Sequence, residues 1–448
     1  MSASNSSLYE EITIESNNQE RTIDLRLGTI SVDYYEDIFS PTITAKIRVV
    51  NNGDTIKNEK DGKFQSIYNG LPLRGGERVS MKILDQGLTG KNAPKKGLDF
   101  SSSENYLYVS SITDVLSDST RESFLLNLVS REAISNETTR VESKYSTPIH
   151  ESVKKILSDV LKTDKFDSQN IEDSQNKYAF IGNMRKPFSV LVWLAAKAVP
   201  SGSSNASAGF LFYQTQNGFN FKSIDGLMQQ EAKAVYTYSE VSENENETEG
   251  NDYKILKYRT DKNQNLIEKL RLGAYASQRM FFNPLTFEFT DPQKGLFQLA
   301  SYKDRIKNLG SKGKISLPTM GEGSSVSLGD VPTRILCAIV DVGTMVKGVT
   351  EESYKENADP SDYQSQSIMR YNLLFTQSVS MTVPCNTDLK AGDVIDCQFP
   401  KISSEDNSFD MEQSGLYMIK ELCHHFEPNN SYTSMTLVRD NFGVNKGE

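Results

Sequence analysis

The sequence predicts a β-rich α+β chain: two similar antiparallel β-barrels, an α/β segment between them, and a further segment inserted into the second barrel. Three observations predict it. First, one ordered set of landmarks occurs twice. Leu25-Arg26-Leu27-Gly28, Phe39-Ser40-Pro41, Gly75-Gly76-Glu77, Leu107-Tyr108 and Leu128-Val129 form the first copy. Leu270-Arg271-Leu272-Gly273, Phe282-Asn283-Pro284, Ala391-Gly392-Asp393, Leu416-Tyr417 and Leu437-Val438 form the second. In both, the closing Leu-Val lies twenty residues after the Tyr, and such self-similarity marks a repeated structural unit. Second, the stretches around the landmarks alternate apolar and polar residues with the period of a half-buried strand. Third, the spacing from Phe-x-Pro to the glycine turn is about 35 residues in the first copy and about 108 in the second. The surplus is an insertion, placed at residues 292–364.

The first barrel takes residues 1–132. Ile12 and Ile14, then Ile23, Leu25 and Leu27, then Ile43, Ala45, Ile47 and Val49 alternate with polar neighbours, and Asn51 to Asp54 supply a turn. Val79, Met81 and Ile83 repeat the pattern after the glycine turn. Leu107 to Asp114 and Phe124 to Arg131 pair across the polar Ser117 to Thr120. Residues 133–252 change period. Thr147-Pro148 starts a helix in which Ile149, Val153, Ile156, Leu157, Val160 and Leu161 recur at helical spacing over about four turns. A second helix runs from near Pro187 to Val199 and carries Trp193. Phe210 to Tyr213 and Phe219 to Ser223 form a hairpin about Asn217-Gly218. Acidic residues 242–252 close this segment as a surface loop. The second barrel takes residues 253–291 and 365–443. It ends in strands Leu416 to Cys423 and Tyr432 to Arg439, with Met435 and Leu437 matching Leu126 and Leu128. The insertion reads as a short helix from Leu296 to Leu309, a Gly/Ser-rich Met320 to Gly329 and an apolar Ile335 to Val340. Residues 444–448 are a tail.

Hydrophobic content of 37% and charged content of 24% describe a soluble globular protein. The net charge of −10 argues against a surface built to grip phosphate, which needs clustered Lys and Arg. No run approaches the roughly 18 apolar residues that would span a bilayer. The Ser/Asn-rich start lacks the apolar core of a secretory signal. Cys337, Cys385, Cys397 and Cys423 are widely spaced without a CxxC pair, so free thiols are expected.

Catalytic patterns are absent, and no catalytic, cofactor or metal site is expected. His150 falls in the first turn of the Thr147-Pro148 helix and reads as a solvated helix residue. Cys423-His424-His425, with Cys385 and Cys397 upstream, is the one metal-like cluster. Alternation along a strand puts Cys423 and His425 on one face and His424 on the other, and zinc sites favour paired ligands two to four residues apart. A buried Cys with interfacial histidines is the expected role. Gly87-Leu88-Thr89-Gly90-Lys91 lacks phosphate-loop spacing and reads as a hairpin tip. Glu172 and Asp173 are the carboxylates a hydrolase in the middle segment would need, but no partnering carboxylate on a helix accompanies them. Phe39, Phe64, Tyr68, Phe100, Tyr106, Tyr371, Phe375, Phe399 and Tyr432 lie near strand ends, where they serve barrel packing or anchor subunit contacts. A β-rich carbohydrate-binding adhesin is the remaining alternative, though it leaves the split internal repeat unexplained.

Leu25 to Gly28, Asp37 to Pro41, Leu73 to Glu77, Asn127 to Glu132, Gly415-Leu416-Tyr417 and Leu437 to Asp440, taken in order, resemble the baseplate hub proteins of contractile-tailed (T-even-like) phages. The resemblance is closest to hubs of marine T-even-like phages and extends more distantly to the hub part of type VI secretion spike proteins. It implies tail-tube-like barrels in a homotrimer with a pseudo-sixfold ring. One face of that ring would meet the hexameric tail tube or its initiator proteins, and the other the trimeric cell-puncturing spike. DNA would pass through an axial channel, in a virion tail baseplate assembled in the host cytoplasm, with wedge proteins as further contacts and no membrane insertion. The resemblance carries no interface residue over by motif.

Overall fold

A computed structural model of the chain describes residues 6–52, 56–57, 62–85, 96–201, 207–238, 253–263, 265–284, 287–289, 295–299, 308–310, 318–339, 364–401 and 409–443. The fold is strand-rich with large antiparallel sheets, as the alternation predicts. In the first copy the strands are β1 (Ser7–Glu15), β2 (Thr22–Asp24), β3 (Thr29–Asp37), β4 (Thr44–Asn51), β5 (Arg78–Asp85), β6 (Lys96–Phe100), β7 (Leu107–Ser117) and β8 (Glu122–Ser130). The middle segment holds the hairpin β9 (Phe210–Thr215) and β10 (Gly218–Ser223), then β11 (Val235–Thr237). Next come β12 (Lys257–Asn263), β13 (Ala276–Asn283), β14 (Arg334–Ile339), β15 (Gln377–Pro384), β16 (Val394–Gln398), β17 (Gly415–Phe426) and β18 (Tyr432–Arg439).

Fourteen strands form one sheet, in the order β12-β15-β18-β17-β3-β4-β8-β7-β5-β1-β2, with β6 on β5, and β16 on β17 carrying β11. The two copies are thus fused edge to edge through β17 and β3. Alternating residues of every first-copy strand meet in one core, among them Ile12, Val32, Ile47, Met81, Val109 and Leu126. A second core gathers Tyr236, Val379, Met381, Ile395, Tyr417, Ile419, Met435 and Leu437.

Pairing sharpens the repeat. β4-β8-β7-β5 and β15-β18-β17-β16 have the same neighbours. Gly76 N–H donates to the Val109 carbonyl and Val109 N–H to that of Glu77; Gly392 N–H donates to Ile419 and Ile419 N–H to Asp393. The acid of each turn also accepts a main-chain N–H from three residues upstream, Arg74 to Glu77 at 2.7 Å and Lys390 to Asp393 at 2.9 Å. A one-residue bulge follows at the same place, Ser110 in β7 and Lys420 in β17. Leu126 and Leu128 match Met435 and Leu437 as predicted.

Three landmark matches are corrected. Leu128 faces Val109 and Leu437 faces Ile419, so Leu107 corresponds to Tyr417, one residue off the Leu-Tyr match. Both are buried, and a one-residue slip would turn them to the wrong face. The other two fail at the opening. The strand equivalent to β3 is β12, which lies on β15 as β3 lies on β4. Leu270-Arg271-Leu272-Gly273 instead ends a helix, Leu266–Leu272, capped by Asn265 and closed by Gly273 at φ 69°. Phe282-Asn283 belongs to β13, in a separate four-stranded sheet. In the first copy Leu27 does not alternate into the core; it stands fully exposed on a turn.

Leu296–Gln298 is a strand on β13 rather than the start of a helix, and Arg334–Ile339 lies parallel to β13. A helix the sequence did not announce, α6 below, runs Gln364–Leu374. The middle segment has its own core of Ile149, Val153, Leu157, Leu191, Phe210 and Phe221. Its helices are α1 (Arg131–Thr138), α2 (Ile149–Lys155), α3 (Pro187–Ala195) and α4 (Ile224–Met228), followed by α5 (Leu266–Leu272) and α6 (Gln364–Leu374). α2 continues as a π-helical turn, Ile156–Val160, so the predicted four regular turns are two. No helix among the described residues is long and apolar enough to cross a membrane.

Gly76 and Gly392 have φ of 92° and 91°, where a Cβ is strained. Replacing either by Ala is expected to cost about 1–3 kcal/mol. Gly392→Ala should cost more, because its Cβ would stand 2.4 Å from the Tyr213 hydroxyl, whereas that of Gly76→Ala would meet Asn17 Oδ1 at 3.3 Å. Urea midpoints of the two variants give the comparison.

Candidate assembly interface

The seam between the copies is where the sequence-distant residues of interest meet. β17 and β3 pair antiparallel from Glu421 with Asp37 to Phe426 with Val32. On the core side His424 is fully buried and stacked on Tyr34, with ring centroids 6.1 Å apart. Its Nδ1 lies 2.9 Å from Thr433 Oγ1 and its Nε2 3.3 Å from the Leu389 carbonyl. On the opposite face His425 Nδ1 lies 2.6 Å from Asp33 Oδ1 and its Nε2 3.3 Å from Glu427, while Tyr432 stacks on the ring. The Asp33 carboxylate raises the His425 pKa. Half-buried Cys423 lies on that face with Asp33, its Sγ 3.9 Å from Oδ1, and burial pushes its thiol up to about 12. The predicted division of the three residues between two faces holds, but Cys423, expected to be buried, is half-buried, and His424 is the residue wholly buried.

Beside it Lys420, the bulge residue, reaches Asp37 at 3.5 Å and Glu421 at 2.7 Å. At the strand end Tyr9 Oη donates to the Phe426 carbonyl at 2.9 Å and Ser7 Oγ to that of Glu427 at 3.0 Å. A groove of about 430 Å³ opens here, among Tyr35, Asp37, Lys46, Glu421, Cys423 and Met435.

Three segments converge on Glu36. Its buried carboxylate accepts from Tyr34 Oη at 2.8 Å, from the Gln216 N–H of the β9–β10 turn at 2.7 Å and from the Ala391 N–H of the second glycine turn at 2.9 Å. Burial drives its pKa up to about 7 against these bonds, which favour the ionised form. Sequence reasoning missed Glu36 and Asp33; Asp33 meets its histidine 392 positions away, and no local spacing signals that.

Burial lowers the His424 pKa to about 4. The unfolded chain therefore binds a proton near pH 6.5 that the folded chain refuses. This contribution to stability is present above pH 6.5 and lost as pH falls toward 4, by about 3 kcal/mol. His424→Gln is expected to flatten that slope in urea melts taken from pH 7 to 4.

The other candidates make local contacts. His150 is not solvated: Ser174 N–H donates to its Nδ1 at 3.0 Å, and its Nε2 lies 3.3 Å from Asp173. Glu172 accepts from Ser223 N–H and Oγ at the start of α4, and burial raises its pKa. Cys385 and Cys397 lie in different cores and Cys337 is exposed. Among the described residues no three His, Cys, Asp or Glu are grouped to hold a metal ion. The Gly87 to Lys91 stretch lies outside the described residues. Of the nine aromatics, Phe39 stacks on Phe375 at 5.6 Å and Phe399 packs on Tyr258 and Tyr417, while Phe64 is exposed.

No family model matches the sequence. It is 21% identical over 296 residues to the probable baseplate hub protein gp334 of Vibrio phage KVP40, the match covering 66% of each protein. The chain thus spans about two thirds of that relative's length. Among solved structures, the tail protein from Neisseria meningitidis MC58 superposes with TM-score 0.50 at 8% identity, over 96% of both chains. Escherichia coli c3393, a component of the type VI secretion system, gives TM-score 0.39 at 9% identity over 94% of this chain and 76% of its own. The match to the Vibrio phage protein bears out the resemblance to phage baseplate hub proteins read from the sequence, and the fold is similar to that of the Neisseria tail protein.

Proposed function

We propose that this chain is a structural component of a phage tail baseplate hub, working as a homotrimer in which six similar β units form a pseudo-sixfold ring. The ring adapts a hexameric tail tube to a trimeric cell-puncturing spike and leaves an axial channel through which DNA passes. The observation that carries this reading is the internal duplication: two units with matching turn bonds, turn acids and bulges, joined in one sheet. Two units per chain in three chains give six positions, which is what matching threefold to sixfold symmetry needs. The name of the Vibrio phage relative supports the setting, a virion tail. The net charge of −10 suits passage of DNA without retention. In this reading the chain has no catalysis of its own: Glu172, Asp173 and His150 are spent on helix and turn contacts. Baseplate wedge proteins are further partners in this reading.

Native mass spectrometry of the purified chain, alone and with its spike, tests the reading. A mass of three chains is expected. A monomer at every concentration, with and without spike, would overturn it.

A further inference from the structure

The small sheet about β13 brings together two cations that have no counter-charge. Arg334 of β14 stands directly opposite Ser277 of β13 in their parallel ladder, and Arg279 follows Ser277 by two residues. All three side chains therefore share one face. The two arginines are close enough to repel: burial first, and then the Arg334 charge, hold the Arg279 pKa below its ordinary value. Among the described residues neither guanidinium pairs with a carboxylate. Arg279 Nη1 donates to Gln364 Oε1 of α6 at 2.6 Å. The last turn of α5 lies here too, since a Cβ on Gly273 would stand 2.8 Å from Arg334 Cβ and 3.0 Å from Ser277 Cβ. Its carbonyls already have other donors, Thr333 Oγ1 on Leu270 and Asn372 Nδ2 on Leu272.

The same face packs on α6. Phe297, paired with Ser277 across the other edge of β13, meets Met369 and Leu373 there. Ser365 lies one turn before Met369 on the same side of the helix. Ser277 and Ser365 are only 4% and 2% exposed, and among the described residues neither hydroxyl has a hydrogen-bond partner. Unpaired buried hydroxyls are costly, and so are neighbouring like charges. One oxyanion would answer all four groups. A carboxylate brings a single charge, whereas a phosphate group with one ester bond or none brings close to two, with at least three acceptor oxygens. Guanidinium forks match those oxygens. We propose that the crevice between this sheet and α6 binds one phosphate dianion, free or as the end group of a phosphomonoester. Arg279 and Arg334 neutralise it, and Ser277 and Ser365 donate to it from the sheet and the helix. The site lies outside the large sheet and its seam, and does not rest on the hub reading.

The test titrates the full chain, in chloride buffer, with inorganic phosphate, with glycerol phosphate as a monoester, and with dimethyl phosphate as a diester of single charge. One phosphate per chain is expected, and sulfate should displace it. Dimethyl phosphate and acetate should bind at least about tenfold more weakly. Arg279→Gln and Arg334→Gln should each weaken phosphate at least about tenfold, and Ser277→Ala about two- to tenfold. Arg334→Lys keeps the charge without the fork and should lose less than Arg334→Gln. Phosphate should also raise the urea midpoint of the parent and leave that of Arg334→Gln unmoved, which a merely structural arginine would not produce. Tighter binding of inorganic phosphate would assign the free anion, and tighter binding of glycerol phosphate the end of a larger molecule; either upholds the site. No saturable binding of either phosphate, binding unchanged in both arginine variants, or displacement by acetate as readily as by sulfate would overturn it.

Discussion

Arg370→Ala is expected to lower stability by about 3–5 kcal/mol, as truncating one member of a buried ion cluster does. Arg370 lies on α6, its side chain wholly buried. Nη2 lies 2.6 Å from Asp225 Oδ1 at the start of α4, and Nη1 lies 3.1 Å from Asp440 Oδ2 just beyond β18. The guanidinium therefore ties the helix after the insertion to the middle segment and to the end of the second unit. Each carboxylate has further bonds, Asp225 from Ser207 N–H and Oγ and Asp440 from Leu309 N–H. Burial raises the Asp440 pKa, with Arg370 opposing the rise. Alanine leaves two carboxylates buried with no cation. Adding Asp225→Asn and Asp440→Asn to Arg370→Met should recover most of the loss, because a neutral cluster has no charge left to solvate. Urea midpoints of the three proteins decide it. A single variant as stable as the parent would mean that the cluster does not hold these parts together.

Much of this fold was legible in the sequence, and the failures have physical causes. Strict alternation from Ile43 to Val49 and from Val79 to Ile83 fixed strands in which the alternating residues Ile43, Ala45, Ile47, Val49, Val79, Met81 and Ile83 are all buried, because period two has one structural meaning in a half-buried sheet. The glycine turns could be matched because φ near 90° leaves few alternatives to Gly. Short strings without such a constraint misled. Leu-Arg-Leu-Gly is a surface turn in one copy and a helix end in the other, and Asn265 with Gly273 were the signals that distinguished them. Leu-Tyr matched by composition while the ladder is offset by one. The seam itself was illegible. Its partners, Asp33 with His425 and Glu36 with Ala391, are hundreds of residues apart, and only the fold brings them together.

Tyr34→Ala, at the centre of that seam, is expected to cost about 3–5 kcal/mol, the range for deleting a fully buried aromatic side chain. The ring packs on Phe100 at 5.4 Å and stacks on His424, and its hydroxyl donates to Glu36. Tyr34→Phe separates these roles. It keeps the packing and removes one of three donors to a buried carboxylate, for about 1–3 kcal/mol. The pH dependence identifies the acceptor. Because the Glu36 pKa is raised to about 7, its protonation contributes stability that is full below about pH 4.5 and lost as pH rises through 7. The hydroxyl holds the ionised form, so its removal raises that pKa further and hurts most where Glu36 must ionise. The penalty of Tyr34→Phe should therefore be larger at pH 8 than at pH 5, and the difference should vanish in a Glu36→Gln background, where nothing at this position titrates. Comparing each variant with its parent at the same pH removes the titrations of His424 and His425. An equal penalty at both pH values would show that the hydroxyl does not support a charged Glu36, and that the convergence of three segments there depends on shape alone.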